Sequence, residues 1–385
     1  MRAREALRVL ILQTLGIAAG TCAFLVLRPA DEAPAPATTA PRASAEPALV
    51  PAPATVPVPV PDASVSAAPA ASSTLVEADD EEPTTLEAQR DRLLARLAES
   101  LSLDEPTLAN VRAIVTKEHE LGQGNPAISK HPMTRSQCRA IRREAGLVPP
   151  DPSRCGAPHM VPIYDPSRGE TAKTARVCMD QYEFPNIPCE YPVVHVRANE
   201  AAALCKAIGK RICDSHEWEG ACAGAVHAPE DDYLWPRDRM QASYAWNGKR
   251  EKVWAYGKEK RHDTCATGSM ITKGCTGGGY SQCGSNTYPT GAFPACRSVF
   301  GVFDQHGNAA EHMSYPRKPE ELASRGGIGQ TEMKGSWFVF SLIEAHEDDC
   351  RFRAPDWHPS TMDAASSHRN YHLGFRCCKD VPPEP

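Results

Sequence analysis

Several chemistries are missing from this 385-residue chain. No pair of C-x-x-C units occurs among its 15 cysteines, which removes the usual spacing of a zinc site. No G-x-S-x-G elbow supports Ser/His/Asp hydrolysis. A basic excess is lacking too: the net charge is −6, and the one basic stretch, from Lys249 to Arg261, is interrupted by Glu251 and Glu259. That pattern gives nucleic acid no field to bind and fits a solvated loop. Between Pro29 and about Ala71 large apolar side chains are scarce, while Pro and Ala alternate with Thr, Val and Ser. Such a segment cannot build a core and behaves as a stiffened, disordered spacer.

What is present divides the chain into four parts. Arg2, Arg4 and Arg8 precede Val9 to Leu27, an apolar run long enough to cross a bilayer. The basic flank orients its amino end to the cytoplasm, so residues 1–28 are predicted to be a transmembrane anchor, with a cleavable signal peptide as the alternative. Everything beyond would then lie on the extracytoplasmic, periplasmic side. Residues 29–83 form the linker, and Asp79 to Glu82 mark a solvated boundary. In residues 84–122, leucines at 86, 93, 94, 97 and 101 recur at helical spacing, and Asp104 restarts a second run through Leu108, Val111, Ile114 and Val115. These two helices are expected to form a hairpin, a plain helical neck in the simpler account and a unit docked on the main domain or on a partner in the other.

The folded part is assigned to residues 128–380. Pro192 to Val196 suggests a short buried strand, Asn199 a helix cap, and Asp214 with Glu217 a capping box that starts a second helix. Trp218 and Cys222 would share one face of that helix, with Trp218 in the core and His216 facing solvent. From Ala225 to Phe300 there is little periodicity, as in long loops held by disulfides. Fourteen cysteines lie beyond the apolar segment, an even number suited to an oxidising compartment.

Four blocks in fixed order carry a family resemblance: Cys205 to Cys222 with the run GKRICDSHEWE, then GVFDQHGNAAEH (301–312), KGSW (334–337) and HLGFRCC (372–378). They resemble the formylglycine-generating enzyme, or sulfatase-modifying factor, family over about Val177 to Lys379. The resemblance implies an α+β fold related to C-type lectins, low in regular structure and stapled by disulfides. It pairs Cys205 with Cys377 and Cys222 with Cys350. Short loops add Cys178 with Cys189 and Cys138 with Cys155 as candidate pairs, while the partners of Cys213, Cys265, Cys275, Cys283, Cys296 and Cys378 stay open.

Family enzymes that oxidise a sulfatase cysteine hold copper with two cysteines just after the turn at Gly335. Here those positions fall on Val339 and Glu344, or on Phe340 and Ala345 when counted back from Cys350. Cu(I) selects soft sulfur, which none of these side chains supplies, so a copper cofactor is not expected. The family's structural calcium site maps onto Asn308 and Glu311, whereas a second such site lacks its carboxylate at Gly291. Ala310 and His312 stand where the family has tryptophans. Another branch uses iron with an H-x-x-x-H-x-E pattern, absent here because His119, His131 and His159 are widely spaced. The altered loop instead offers His346 and Asp348, with His312 and His358 as further candidates, although a solvated acidic loop is the simpler account. The sequence therefore points to a membrane-tethered binding or scaffold member whose ligand is a protein, peptide or glycan. The alternative is a diverged metal-dependent oxidoreductase acting on protein or peptide substrates.

Overall fold

The computed structural model describes residues 78–235, 237–354 and 360–382. The apolar run Val9 to Leu27, nearly all of the linker and His358 lie outside them, and among the described residues no helix is long and apolar enough to cross a membrane.

Helices α1 (Leu86–Leu101) and α2 (Glu105–Lys117) begin at Thr85 and Asp104, whose side chains accept from the N–H groups of Ala88 and Thr107. The pair is not a free neck. Leu93, Leu94 and Leu97 of α1, with Val111 and Val115 of α2, are buried in one core with Val193, Val196, Leu204 and Phe375. An apolar stripe on each helix demanded a partner, and the main domain supplies it. The acidic run before α1 is not simply solvated either. Asp79 pairs with Arg96 and Arg139, Glu82 with Arg135, and Asp80 accepts from the N–H of Ser136 at 2.9 Å. These partners, apart from Arg96, lie on α3 (Arg135–Glu144), which starts at a capping box between Thr134 and Gln137.

Strands β1 (Met160–Ile163) and β2 (Val177–Asp180) precede α4 (Ala198–Ala207) and the two-residue β3 (Arg211–Ile212). Three helices follow: α5 (Ser215–Ala223), α6 (Pro229–Tyr233) and α7 (Arg239–Lys249). Then come β4 (Ala310–Tyr315), β5 (Gln330–Lys334), β6 (Leu373–Phe375) and β7 (Cys377–Asp380). One sheet has the order β1-β2-β7-β3, all antiparallel; the other has β5-β4-β6, with β4 antiparallel to β5 and parallel to β6. This is a mixed helix and strand architecture with long connecting loops, as expected of the α+β class.

Local expectations needed correction in several places. Residues 192–196 form no strand: Val194 makes a single bridge to Gly122, because Pro192 has no N–H to donate and His195 turns into the left-handed region at φ 55°. Helix α4 begins at Ala198 rather than after Asn199. The distant Ser367 Oγ accepts from the Ala198 N–H, and Glu200 in the helix's own first turn reaches back to accept from the Arg197 N–H. Helix α7 lies in the stretch read as loop, with Asp238 accepting from the N–H of Gln241 at its start. Asp214 does precede α5, and Glu217 accepts its N–H at 2.8 Å. Trp218 is in the core, packed with Met313, Val302 and the cysteines around it. His216 is 5% exposed, contrary to expectation, because the hydroxyl of Tyr233 meets both its backbone N–H and its ring Nδ1 at 3.2 Å.

Seven disulfides staple the described residues: Cys205 to Cys377, Cys222 to Cys350, Cys213 to Cys378, Cys138 to Cys189, Cys155 to Cys178, Cys265 to Cys296 and Cys275 to Cys283. The short-loop pairings of Cys138 with Cys155 and Cys178 with Cys189 are thereby corrected to a nested arrangement, with Cys155 to Cys178 inside Cys138 to Cys189. Cys178 is on β2 beside the turn that carries Cys155, while Cys189 sits against helix α3 and meets Cys138 there. Tertiary packing, not loop length, chooses these partners.

Candidate functional site

The altered loop leaves β5 at Gly335, whose φ of 76° suits glycine; a Cβ there would stand 3.0 Å from the Gln305 carbonyl. Its backbone is then clamped. Phe338 N–H donates to Asn308 O, Ser269 N–H to Phe338 O, and Ser341 N–H to Thr267 O. The clamp turns Phe338, Val339 and Phe340 inward, each fully buried. Both residues that could stand at the first copper position are therefore core side chains. Those at the second, Glu344 and Ala345, are exposed, and Glu344 pairs with Lys260 at 2.8 Å.

Beyond Ala345 the loop folds back. The His346 ring packs 5.1 Å from Phe340 and stacks 5.9 Å from Phe352, and its Nδ1 lies 2.7 Å from the Glu347 carbonyl. Burial holds its pKa below the ordinary histidine value. Asp348 and Asp349 are not solvated. Asp348 accepts from Trp254 Nε1 at 3.0 Å and Ser336 Oγ at 3.4 Å, and Asp349 receives the Arg250 guanidinium at 2.7 Å. The acidic-loop account thus holds for Glu344 and Glu347 at the surface and fails for the two aspartates, which anchor the loop.

A cleft of about 480 Å³ lies alongside, lined by His262, Asp263, Thr267, Tyr288, Phe293 and Ser341 among others. The His262 ring stands between two carboxylates, 3.5 Å from Glu344 and 3.8 Å from Asp348. Ser341 Oγ donates to the Thr267 carbonyl at 2.7 Å, which leaves it turned away from any base and supports no nucleophile. None of these lining residues was singled out in the sequence. His262 to Thr267 lies in the aperiodic stretch, and the hydrogen bond from Ser341 N–H to the Thr267 carbonyl ties it to the loop.

His312 is separated from this arrangement by its strand. It is buried on β4 with Nε2 3.1 Å from the Val196 carbonyl, whereas Glu311 points to the opposite face. Glu311 receives Arg376 at 2.6 Å on each carboxylate oxygen and Trp218 Nε1 at 3.2 Å. Asn308 accepts from the N–H of Tyr288 at 2.8 Å and donates to Glu183 at 2.6 Å. A hard cation needs open oxygens converging on one point. Each side-chain oxygen of Asn308 and Glu311 already accepts a hydrogen bond within the protein. Behind them, burial lifts the Glu183 carboxyl well above its usual range, helped by the charges of Asp304 and Glu311, and lifts Asp304 to about 6.

Soft ligands converge elsewhere. Among the described residues, acidic, histidine and cysteine groups reach metal-ligand spacing only at Cys222, His306 and Cys350, and at Cys213, Glu217 and Cys378. In both places the sulfurs are already joined in a disulfide, so the thiolates a Cu(I) ion needs are absent. His306 sits against the first, with Nε2 accepting from the Ala255 N–H at 3.0 Å and standing 3.3 Å from the Cys222 sulfur.

Comparison with known proteins bears on this geometry. The family model described as "Sulfatase-modifying factor enzyme 1-like domain" matches residues 118–381. The bovine "Formylglycine-generating enzyme" is 27% identical over 206 residues, covering 50% of this chain and 45% of the relative. The mouse "Inactive C-alpha-formylglycine-generating enzyme 2" is 27% identical over 194 residues, covering 50% of each. The chain spans about half the length of these curated relatives. A solved structure, "Crystal Structure of CarF", aligns with 53% of the chain at 12% identity and a TM-score of 0.30, which adds nothing further.

Proposed function

Because the chain belongs to the sulfatase-modifying factor enzyme 1-like family, we propose that it is a non-catalytic binding or scaffold member, tethered to a membrane by residues 1–28 and displayed on the extracytoplasmic side. The observation that carries this reading is the state of its sulfur. All fourteen described cysteines are paired in disulfides, and two fully buried apolar side chains, Val339 and Phe340, stand where the first copper thiolate would have to be. Oxidation of a cysteine to an aldehyde by oxygen needs a redox centre that can hold the substrate sulfur, and the loop offers no group for that role. A match to a relative whose name calls it inactive supports the same reading.

Seven disulfides support an oxidising compartment as well. The test is direct: the oxidised ectodomain is loaded with Cu(I) and incubated aerobically with a sulfatase-derived cysteine peptide. The expected result is no stoichiometric copper and no aldehyde in the peptide by mass spectrometry. Turnover would overturn the reading, and turnover with iron or manganese would establish the diverged oxidoreductase instead.

A further inference from the structure

We propose that the groove between the outward side of α4, strand β3 and the loop 323–328 binds a free fatty acid, its alkyl chain in the groove and its carboxylate on Lys206, an assignment independent of how the altered loop is read. The groove measures about 380 Å³, within the size range of ligand pockets.

Helix α4 turns Ala201, Leu204 and Cys205 into the core, and Ala202, Ala203 and Lys206 line the groove from its other side. The two alanines leave room there. Ile212 and Ala323, both buried, line it at depth, and Ile328 lines it while remaining 41% exposed. The surface between these side chains is aliphatic, so an alkyl chain laid against it removes apolar area of both partners from water.

Charge selects the head group. Every charged side chain in the lining is basic: Lys206, Lys210 and Arg211. Two are already committed, Lys210 to Asp180 at 2.5 Å and Arg211 to Glu217 at 2.6 Å and Asp380 at 2.7 Å, and none of those carboxylates lines the groove. Lys206 is exposed and has no partner among the described residues. One open ammonium beside an aliphatic trough matches a monoanion with an alkyl tail. A peptide fits worse. The N–H groups of Gly326 and Gly327 donate within their own turn to the carbonyls of Ala323 and Leu322, and the amides of Ala202, Ala203 and Lys206 belong to the helix, so peptide carbonyls laid there would go unpaired.

The experiment titrates the disulfide-bonded protein with hexanoate, octanoate and decanoate by calorimetry. One saturable site is expected, with octanoate about tenfold tighter than hexanoate because each buried methylene contributes about fourfold. Lys206→Gln should weaken octanoate by about fivefold and leave octanol binding unchanged. Lys130→Gln, at an exposed lysine outside the groove, should change neither. Ile328→Asp should weaken both ligands by about tenfold or more, with an unchanged thermal midpoint showing that the variant is folded. The proposal is overturned if octanoate does not bind, if affinity is independent of chain length, if Lys206→Gln or folded Ile328→Asp binds octanoate like wild type, or if a tetrapeptide alternating Ala and Leu with a free carboxylate binds at least as tightly as octanoate. Any of these would leave the disulfide inventory intact, so the binding-domain reading would stand and only this assignment would fall.

Discussion

Burial sets the chemistry of individual residues here. His195 and His372 are almost wholly inside, and desolvation lowers both pKa values to about 3. In the unfolded chain each would titrate near 6.5. The unfolded state therefore takes up a proton that the folded state refuses, so the stability each imidazole confers is complete above pH 6.5 and is lost as the pH falls toward 3. His372→Gln removes one such group. The stability gap between wild type and this variant should shrink by up to about 1.4 kcal/mol per pH unit below 6.5. Urea unfolding at pH 7, 5.5 and 4 measures it, and a gap independent of pH would contradict the assignment. Arg376 presents a different case, a buried charge held by Glu311. Arg376→Met should cost about 3 to 5 kcal/mol because it strands a carboxylate, and Arg376→Met with Glu311→Gln should recover part of that loss. Residue identity made Trp218 legible as core, since a large apolar ring has few other places to go. It misplaced His216 and Asp348, whose burial depends on a tyrosine hydroxyl and an indole N–H contributed by distant segments.

Among elements, the helical hairpin shows both what periodicity can tell and where it stops. Leucine spacing and caps located α1 and α2 closely, because a helix writes its apolar face into its own sequence. Docking depends on a second surface, built from Val193, Val196 and Leu204, that local spacing does not describe. Leu94→Ala should therefore destabilise the whole domain by about 2 to 5 kcal/mol, whereas a detached neck would leave the domain's unfolding midpoint unchanged. Helix α7 escaped notice because Gly248 and several polar residues blur its face. The supposed strand at 192–196 failed because an apolar run is equally a buried irregular segment. At the candidate site, the loop after Gly335 was legible through its missing cysteines. The cleft beside it was not, since His262 and Ser341 are 79 residues apart by their numbers and meet only through the fold.

For the molecule as a whole, sulfur is the organising element. The Cys205 to Cys377 bond spans 172 residues and Cys222 to Cys350 spans 128, and closing loops of that size stabilises by about 4 to 5 kcal/mol each in the chain-entropy account. Those two pairs followed from the family resemblance. The nested pairs Cys138 to Cys189 and Cys155 to Cys178 needed the packed structure, because four cysteines allow three connectivities and spacing does not choose among them. The binding-domain account stands on the same inventory: every described cysteine cross-linked, none left to hold copper near Trp337. Alkylation of the denatured, unreduced ectodomain followed by peptide mass spectrometry tests it most directly. The account predicts no alkylated cysteine between Cys138 and Cys378 and seven disulfide linkages, the adjacent Cys377 and Cys378 sharing one peptide joined to those of Cys205 and Cys213; two alkylated cysteines at the Gly335 loop, such as an unpaired Cys350 with a second free thiol beside it, would contradict it.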